Sequence, residues 1–209
     1  MCAPVLHGYA GAMAQRKSIE DLLAEHGTTF AEAAGITLRD KPAPLYQLLV
    51  LTTLSSARIS ADTAAATARE LFEAGLRTPD RMRAATWQDR VDALDRGGYR
   101  RYDESTATAL DDGAGYLQDT YRGDLRRVRG DDIVTVEAAL TDFPRIGPTG
   151  AGIFCREVQA VWPEVRPYFD NRALETAERL GYPTDPGELA DLVPASKVAQ
   201  LAAALVRAG

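Results

Sequence analysis

The chain has 209 residues, 45% of them hydrophobic and 26% charged, with a formal net charge of −6. That length holds one domain or two closely packed lobes, and that apolar fraction builds a core without metal or disulfide staples. The acidic balance weighs against nucleic-acid binding through bulk charge but leaves a local basic face open, because the field at a phosphate depends on nearby charges.

The first residues lack the ordered basic, apolar and cleavage regions of a secretory signal, so a cytoplasmic location is expected. Ile19 to His26 has the periodicity of a short helix. Asp40-Lys41-Pro42-Ala43-Pro44 is a rigid lead-in to Leu45 to Ala57, which is nearly all apolar and reads as a buried helix. Its longest apolar stretch, Leu48 to Leu51, stops at Thr52 and Thr53, far short of the roughly 20 residues a bilayer requires. Ala61 to Ala74 repeats Ala64, Ala68, Leu71 and Phe72 at helical spacing and closes on Gly75. Thr78-Pro79-Asp80 opens a further short helix. Trp87 to Leu94 closes at Gly97-Gly98, and Glu104 to Tyr121 closes at Gly123.

Arg122 to Asp132 is a charged stretch with two glycines, a candidate passage between lobes. Its Arg122, Arg126, Arg127 and Arg129 are diluted by Asp124, Asp131 and Asp132, and read as a solvated linker. Ile133, Val136, Leu140 and Phe143 form one apolar stripe. Gly150 to Trp162, Asn171 to Leu180 and Val198 to Val206 complete the helices. No segment alternates with a period of two between hairpin turns, so the fold class is all-α. Residues 1–41 read as an N-terminal extension with short helices, and 42–209 as the main domain.

Two cysteines, Cys2 and Cys155, and two histidines, His7 and His26, are all the chain holds of those types. They are too few for a four-cysteine iron–sulfur or zinc site, and no structural metal is expected. The absence of His beyond residue 26 removes Ser-His-Asp and Cys-His catalysis. Cys155 sits in an apolar helical pattern beside Gly152 and Gln159 and reads as a buried structural thiol.

The stretch that carries chemistry is Phe143-Pro144-Arg145-Ile146-Gly147-Pro148-Thr149-Gly150-Ala151. A helix ends, the chain turns sharply, and a new helix starts near Pro148. Such a turn exposes unpaired backbone N–H groups at a helix N-terminus, where the dipole also favours an anion such as a DNA phosphate. Gly147 and Gly150 permit close backbone approach, while Pro148 supplies no donor. Downstream, Pro167-Tyr168-Phe169-Asp170-Asn171 places an Asp after two aromatics at the start of a helix that runs to Arg179-Leu180-Gly181.

These two segments resemble the helix-hairpin-helix DNA glycosylase superfamily that includes endonuclease III. The family hairpin reads roughly Leu-Pro-Gly-Val-Gly-x-x-Thr-Ala. Its catalytic Asp heads a helix of the form Asp-Thr-His-x-x-Arg-x-x-x-Arg-Leu-Gly. Asp170 matches that Asp, and Arg179-Leu180-Gly181 match the end of the pattern. Leu49 to Ala57 is similar to the family's first core helix, and Gly97-Gly98-Tyr99 to its Gly-Leu-Tyr loop. The resemblance runs from about residue 42 to about 206 and departs from the pattern at three points. Arg145 replaces the first hairpin glycine. Thr149 stands where bifunctional members carry a lysine nucleophile. The C-terminal cluster cysteines are missing.

The resemblance implies two helical lobes with a cleft, the hairpin at about 143–151, and a base excision repair enzyme without an iron–sulfur cluster. It implies hydrolysis of the N-glycosidic bond of a damaged or mismatched base flipped out of DNA, without lyase activity. Asp170 would be the catalytic carboxylate, with Arg145, Gly147, Thr149 and Gly150 on the DNA backbone. Arg58, Tyr99 and Tyr102 are candidates for the base pocket or wedge. A monomer associated with the nucleoid follows by the same analogy. Each residue also has a plainer role: an N-cap for Asp170, an ordinary helix–helix turn for the glycines, a solvated charge for Arg58, and packing for the two tyrosines. A non-catalytic DNA-binding module of the same fold is the alternative to an enzyme.

Overall fold

A computed structural model describes residues 18–209; Cys2, His7 and the start of the expected N-terminal extension lie outside the described residues. Among the described residues there are helices, turns and loops and no strand. The architecture is organised by α3 (Pro42–Ser55), whose residues from Leu45 to Leu54 are all buried except Gln47. A helix apolar on every side must lie at the centre, and α3 packs against elements of both halves of the molecule.

One half holds α4 (Ala61–Glu73), α5 (Pro79–Ala84), α6 (Trp87–Arg96) and α7 (Asp103–Tyr121). Helix α4 packs on α3 and α6, and α7 packs on α5 and α6. The starts of these elements are written locally. Ser60 accepts from the Thr63 amide at 3.1 Å, and Thr86 with Asp89 forms a reciprocal capping box at the head of α6. Gly97 lets the end of α6 lie directly on α4, since a Cβ there would fall 2.3 Å from Thr67 Cα.

The other half holds α1 (Ile19–His26), α2 (Phe30–Ala33), α8 (Ile133–Thr141), α9 (Pro148–Val158), α10 (Asn171–Arg179), α11 (Pro186–Ala190) and α12 (Val198–Ala208). Helix α12, buried from Leu201 to Val206, packs against α1, α9 and α10. The described part of the expected extension is therefore built into this half, with Leu22 of α1 fully buried. Burying one such leucine contributes about 1.5–3 kcal/mol.

The stretch 122–132 contains a 3-10 turn, Leu125–Val128, whose two end residues are buried against α3, α7 and α8. Two of its four arginines are engaged: Arg126 pairs with Asp124 at 2.7 Å, and Arg129 pairs with Asp40 at 2.9 Å and with Glu164. The connection is thus packed down rather than loose. Two boundaries shift from the periodicity. Helix α9 begins two residues early, because Pro148 presets the first turn. It ends at Val158, the chain then turning to bury Trp162, whose Nε1 donates to Asp40 at 3.1 Å.

Candidate nucleic-acid interface

Phe143 is buried after α8, and the Ile146 amide donates back to its carbonyl at 3.0 Å, closing a tight turn. Inside that turn Arg145 has φ +63°, a left-handed conformation that usually selects glycine. The backbone therefore keeps a glycine-type turn with an arginine in it. The guanidinium is tied to the start of α7, donating to Thr106 Oγ1 at 2.7 Å and to Ser105 Oγ at 3.1 Å. Helix α9 follows with Gly147 as an N-cap that offers no side chain to its first amides. The amides of Thr149 and Gly150 are among those that lack intrahelical partners by construction.

The two glycines differ. Gly147 is exposed and a Cβ there would meet nothing within 4 Å. Gly150 is buried, and a Cβ there would lie 2.7 Å from Ser56 Oγ in the turn that ends α3. The small size of Gly150 lets α9 pack on α3 and does not open a path for a ligand backbone, as the hairpin pattern alone suggests.

Asp170 caps α10, its Oδ1 accepting from the Ala173 amide at 2.9 Å. Its Oδ2 accepts from Arg156 Nη1. Arg156 is 4% exposed, stands 4.7 Å over the Phe30 ring, and has its Nε 3.6 Å from Glu157 Oε1. Glu157 is buried as well and accepts from the Ala31 amide at 2.9 Å. Burial pushes its carboxyl above the usual range, against the pull of Arg156. A buried cation thus has two carboxyl partners, and the one nearer water is Asp170.

Two residues before Asp170, the Tyr168 hydroxyl donates to Glu137 Oε1 at 2.6 Å. Burial, together with that bond, raises the phenol well above its ordinary range, so it stays a donor. The backbone of Tyr168 is held on both sides by the buried Gln159 side chain, at 2.9 Å to its N–H and 2.8 Å to its carbonyl. Of these groups, Glu137, Arg156, Tyr168 and Asp170 line one cleft of about 1540 Å³. The start of α9, at Pro148 and Thr149, lines the same cleft.

The other expected residues divide. Arg58 is exposed in the turn between α3 and α4, and its neighbours Ala57 and Ile59 line the cleft. Tyr99 is corrected: it is 2% exposed and donates its hydroxyl to the Leu54 carbonyl at 3.0 Å, which makes it a core residue and no wedge. Tyr102 is half-buried, edge-on to Tyr99 at 6.3 Å, with the Arg101 guanidinium 5.5 Å over its ring. Neither tyrosine lines the cleft. Cys155 is buried, and burial with the nearby Glu137 raises its thiol, as suits a structural residue. Sequence reasoning missed Arg156, Glu157, Glu137 and Tyr168. The signals were available: a charged pair inside the apolar run of α9, and Glu137 spaced i+4 from Ile133 and i−3 from Leu140 on the inward stripe.

No protein-family model matches the sequence, and no curated protein matches it. Solved structures do. One is a trapped endonuclease III–DNA covalent intermediate in an estranged-adenine complex, and another is a non-covalent endonuclease III–DNA complex. Each is 18% identical with a TM-score of 0.52, covering 90% of this chain and 83% or 82% of the other. The chain has the endonuclease III fold. At that identity the likeness to endonuclease III fixes the path of the helices and leaves the chemistry to the side chains described above.

Proposed function

We propose that the protein is a monofunctional DNA glycosylase that hydrolyses the N-glycosidic bond of a damaged or mismatched base flipped out of duplex DNA. The observation that carries this is that Asp170 and the start of α9 open on one cleft, with the hairpin turn beside it. The solved structures of the same fold are DNA complexes, which supports DNA as the partner. Gly147 and the amides at the start of α9 would hold a phosphate, and Arg58, exposed in the turn after α3, would fill the gap left by the flipped base.

In the reaction the glycosidic electron pair leaves with the base, and positive charge builds on the sugar. Asp170, fixed at both oxygens, would stabilise that charge and orient the water whose oxygen bonds to the sugar carbon. The water's proton ends on the released base. Thr149 offers no amine at the head of α9, so no Schiff base forms there and the strand stays intact. The two cysteines hold no cluster, and the protein acts as a cytoplasmic, nucleoid-associated monomer.

One observation favours the alternative of a non-catalytic DNA-binding module: Arg156 offsets the charge on Asp170. A glycosylase assay separates the two. Duplexes carrying uracil, alkylated purines, oxidised pyrimidines or mispaired A or T are incubated with the protein, then treated with alkali to reveal abasic sites. Cleavage that appears only after alkali, and vanishes in Asp170→Asn, is the expected result. Duplex binding with no cleavage of any substrate would favour the binding module.

A further inference from the structure

The cleft holds a second polar pair that the hydrolysis does not use. Glu137 comes from α8 and Tyr168 from the loop before α10, and their bond is 2.6 Å long. The pair is rigidly placed. Gln159 clamps the backbone of Tyr168, and the Gln159 carbonyl is in turn held by Arg166 at 2.7 Å. Room for the phenol exists because residue 152 is glycine. A Cβ there would lie 2.9 Å from the Tyr168 hydroxyl and 3.8 Å from Asp170 Cβ. The phenol and the proposed catalytic carboxylate therefore flank one point in the cleft wall. Tyr168 engages only Oε1 of Glu137, and Oε2 has no hydrogen-bond partner among the described residues.

We propose that Glu137, oriented by Tyr168, reads the flipped base by accepting a hydrogen bond from an N–H donor on its edge. The inference rests on the glycosylase reading of the cleft. A carboxylate facing a polyanion is unfavourable unless a donor meets it. A nucleobase with an exocyclic amine or ring N–H supplies that donor, whereas an edge that only accepts leaves two acceptors facing each other. The ligand class is thus a donor-edged base, and acceptor-only edges are rejected.

The test uses Asp170→Asn, which holds substrate without turning it over. Its affinity is measured for duplexes with adenine or unsubstituted purine opposite an abasic analogue, so that neither base loses a Watson–Crick partner on flipping. Adenine should be favoured by roughly 10-fold, as for a hydrogen bond to a charged group. Adding Glu137→Ala should bring the ratio to about 1. Adding Glu137→Gln, which keeps an acceptor for Tyr168 and gives the cleft a donor, should narrow or reverse it, and this variant carries the test if the alanine form does not fold. An unchanged adenine preference in both variants overturns the proposal. Duplex binding without any preference overturns it alone, and absence of all duplex binding by the unsubstituted chain overturns the glycosylase reading with it.

Discussion

The first and last turns of α9 meet their surroundings in opposite ways. The first turn works through backbone, with an exposed Gly147, a buried Gly150 and amides left without partners. The last turn works through charge, with Arg156 and Glu157 almost wholly buried and Asp170 brought to them from another helix. A backbone site is tolerant of side-chain chemistry and intolerant of bulk, while a buried charge site is the reverse. One helix can carry both because its ends are far enough apart for each to be altered separately.

The sharpest break in that comparison is Asp170→Asn, which removes the charge and spares the hairpin. It should lower single-turnover excision by about 10²–10⁴-fold, with duplex affinity little changed. Arg156→Met attacks the same end through stability: breaking a buried pair costs about 3–5 kcal/mol, read by urea denaturation. Adding Glu157→Gln should recover part of that loss, since the acid left without Arg156 is then only Asp170, which is nearer water and still caps α10. At the other end, Gly150→Val drives side-chain atoms against Ser56 and should cost about 1–3 kcal/mol.

Glu157 gives the charged end a pH signature. Its carboxyl is held above the ordinary value of 4.5 by burial, so the folded chain keeps a proton that the unfolded chain releases. Stability from this group is full below that ordinary value and declines as pH rises through the folded-state value. Glu157→Gln should flatten the slope, seen in denaturation midpoints across mildly acidic to neutral pH. The smallest effect belongs to Gly147→Ala. Nothing crowds that position, so stability should fall only by the low end of an N-cap change to alanine, about 0.5 kcal/mol. Affinity for all duplexes should fall alike if a phosphate lies there, because phosphate contacts carry no sequence information.

The same contrast explains what could be read before the structure. Helices announce themselves by local periodicity and caps, and the hairpin by glycine and proline, all within a few residues. Asp170 was visible for the same reason, as a cap followed by a helix. Arg156 looked like any helix arginine until α10 came beside it, and Glu137 until Tyr168 reached across from the loop after α9. Tyr99 failed in the other direction: its glycine loop suggested exposure, but its hydroxyl closes on a carbonyl of α3 that lies 45 residues earlier. The short α2 and α11 escaped because four or five residues are too few to show a period.

The packing of α12 on α1 also sets an order of events during synthesis. Arg207 donates to the Thr28 carbonyl across 179 residues, at 2.9 Å, and Phe30, Val206 and Arg207 all line the cleft. A nascent chain can form α3 and the α4–α7 half while its C-terminal residues are still in the ribosome, since those contacts are local. The cleft cannot be completed until α12 emerges and closes back on α1. On a nascent chain, then, the cleft is complete only once α12 has emerged, and any binding that uses the cleft should arise only at that point.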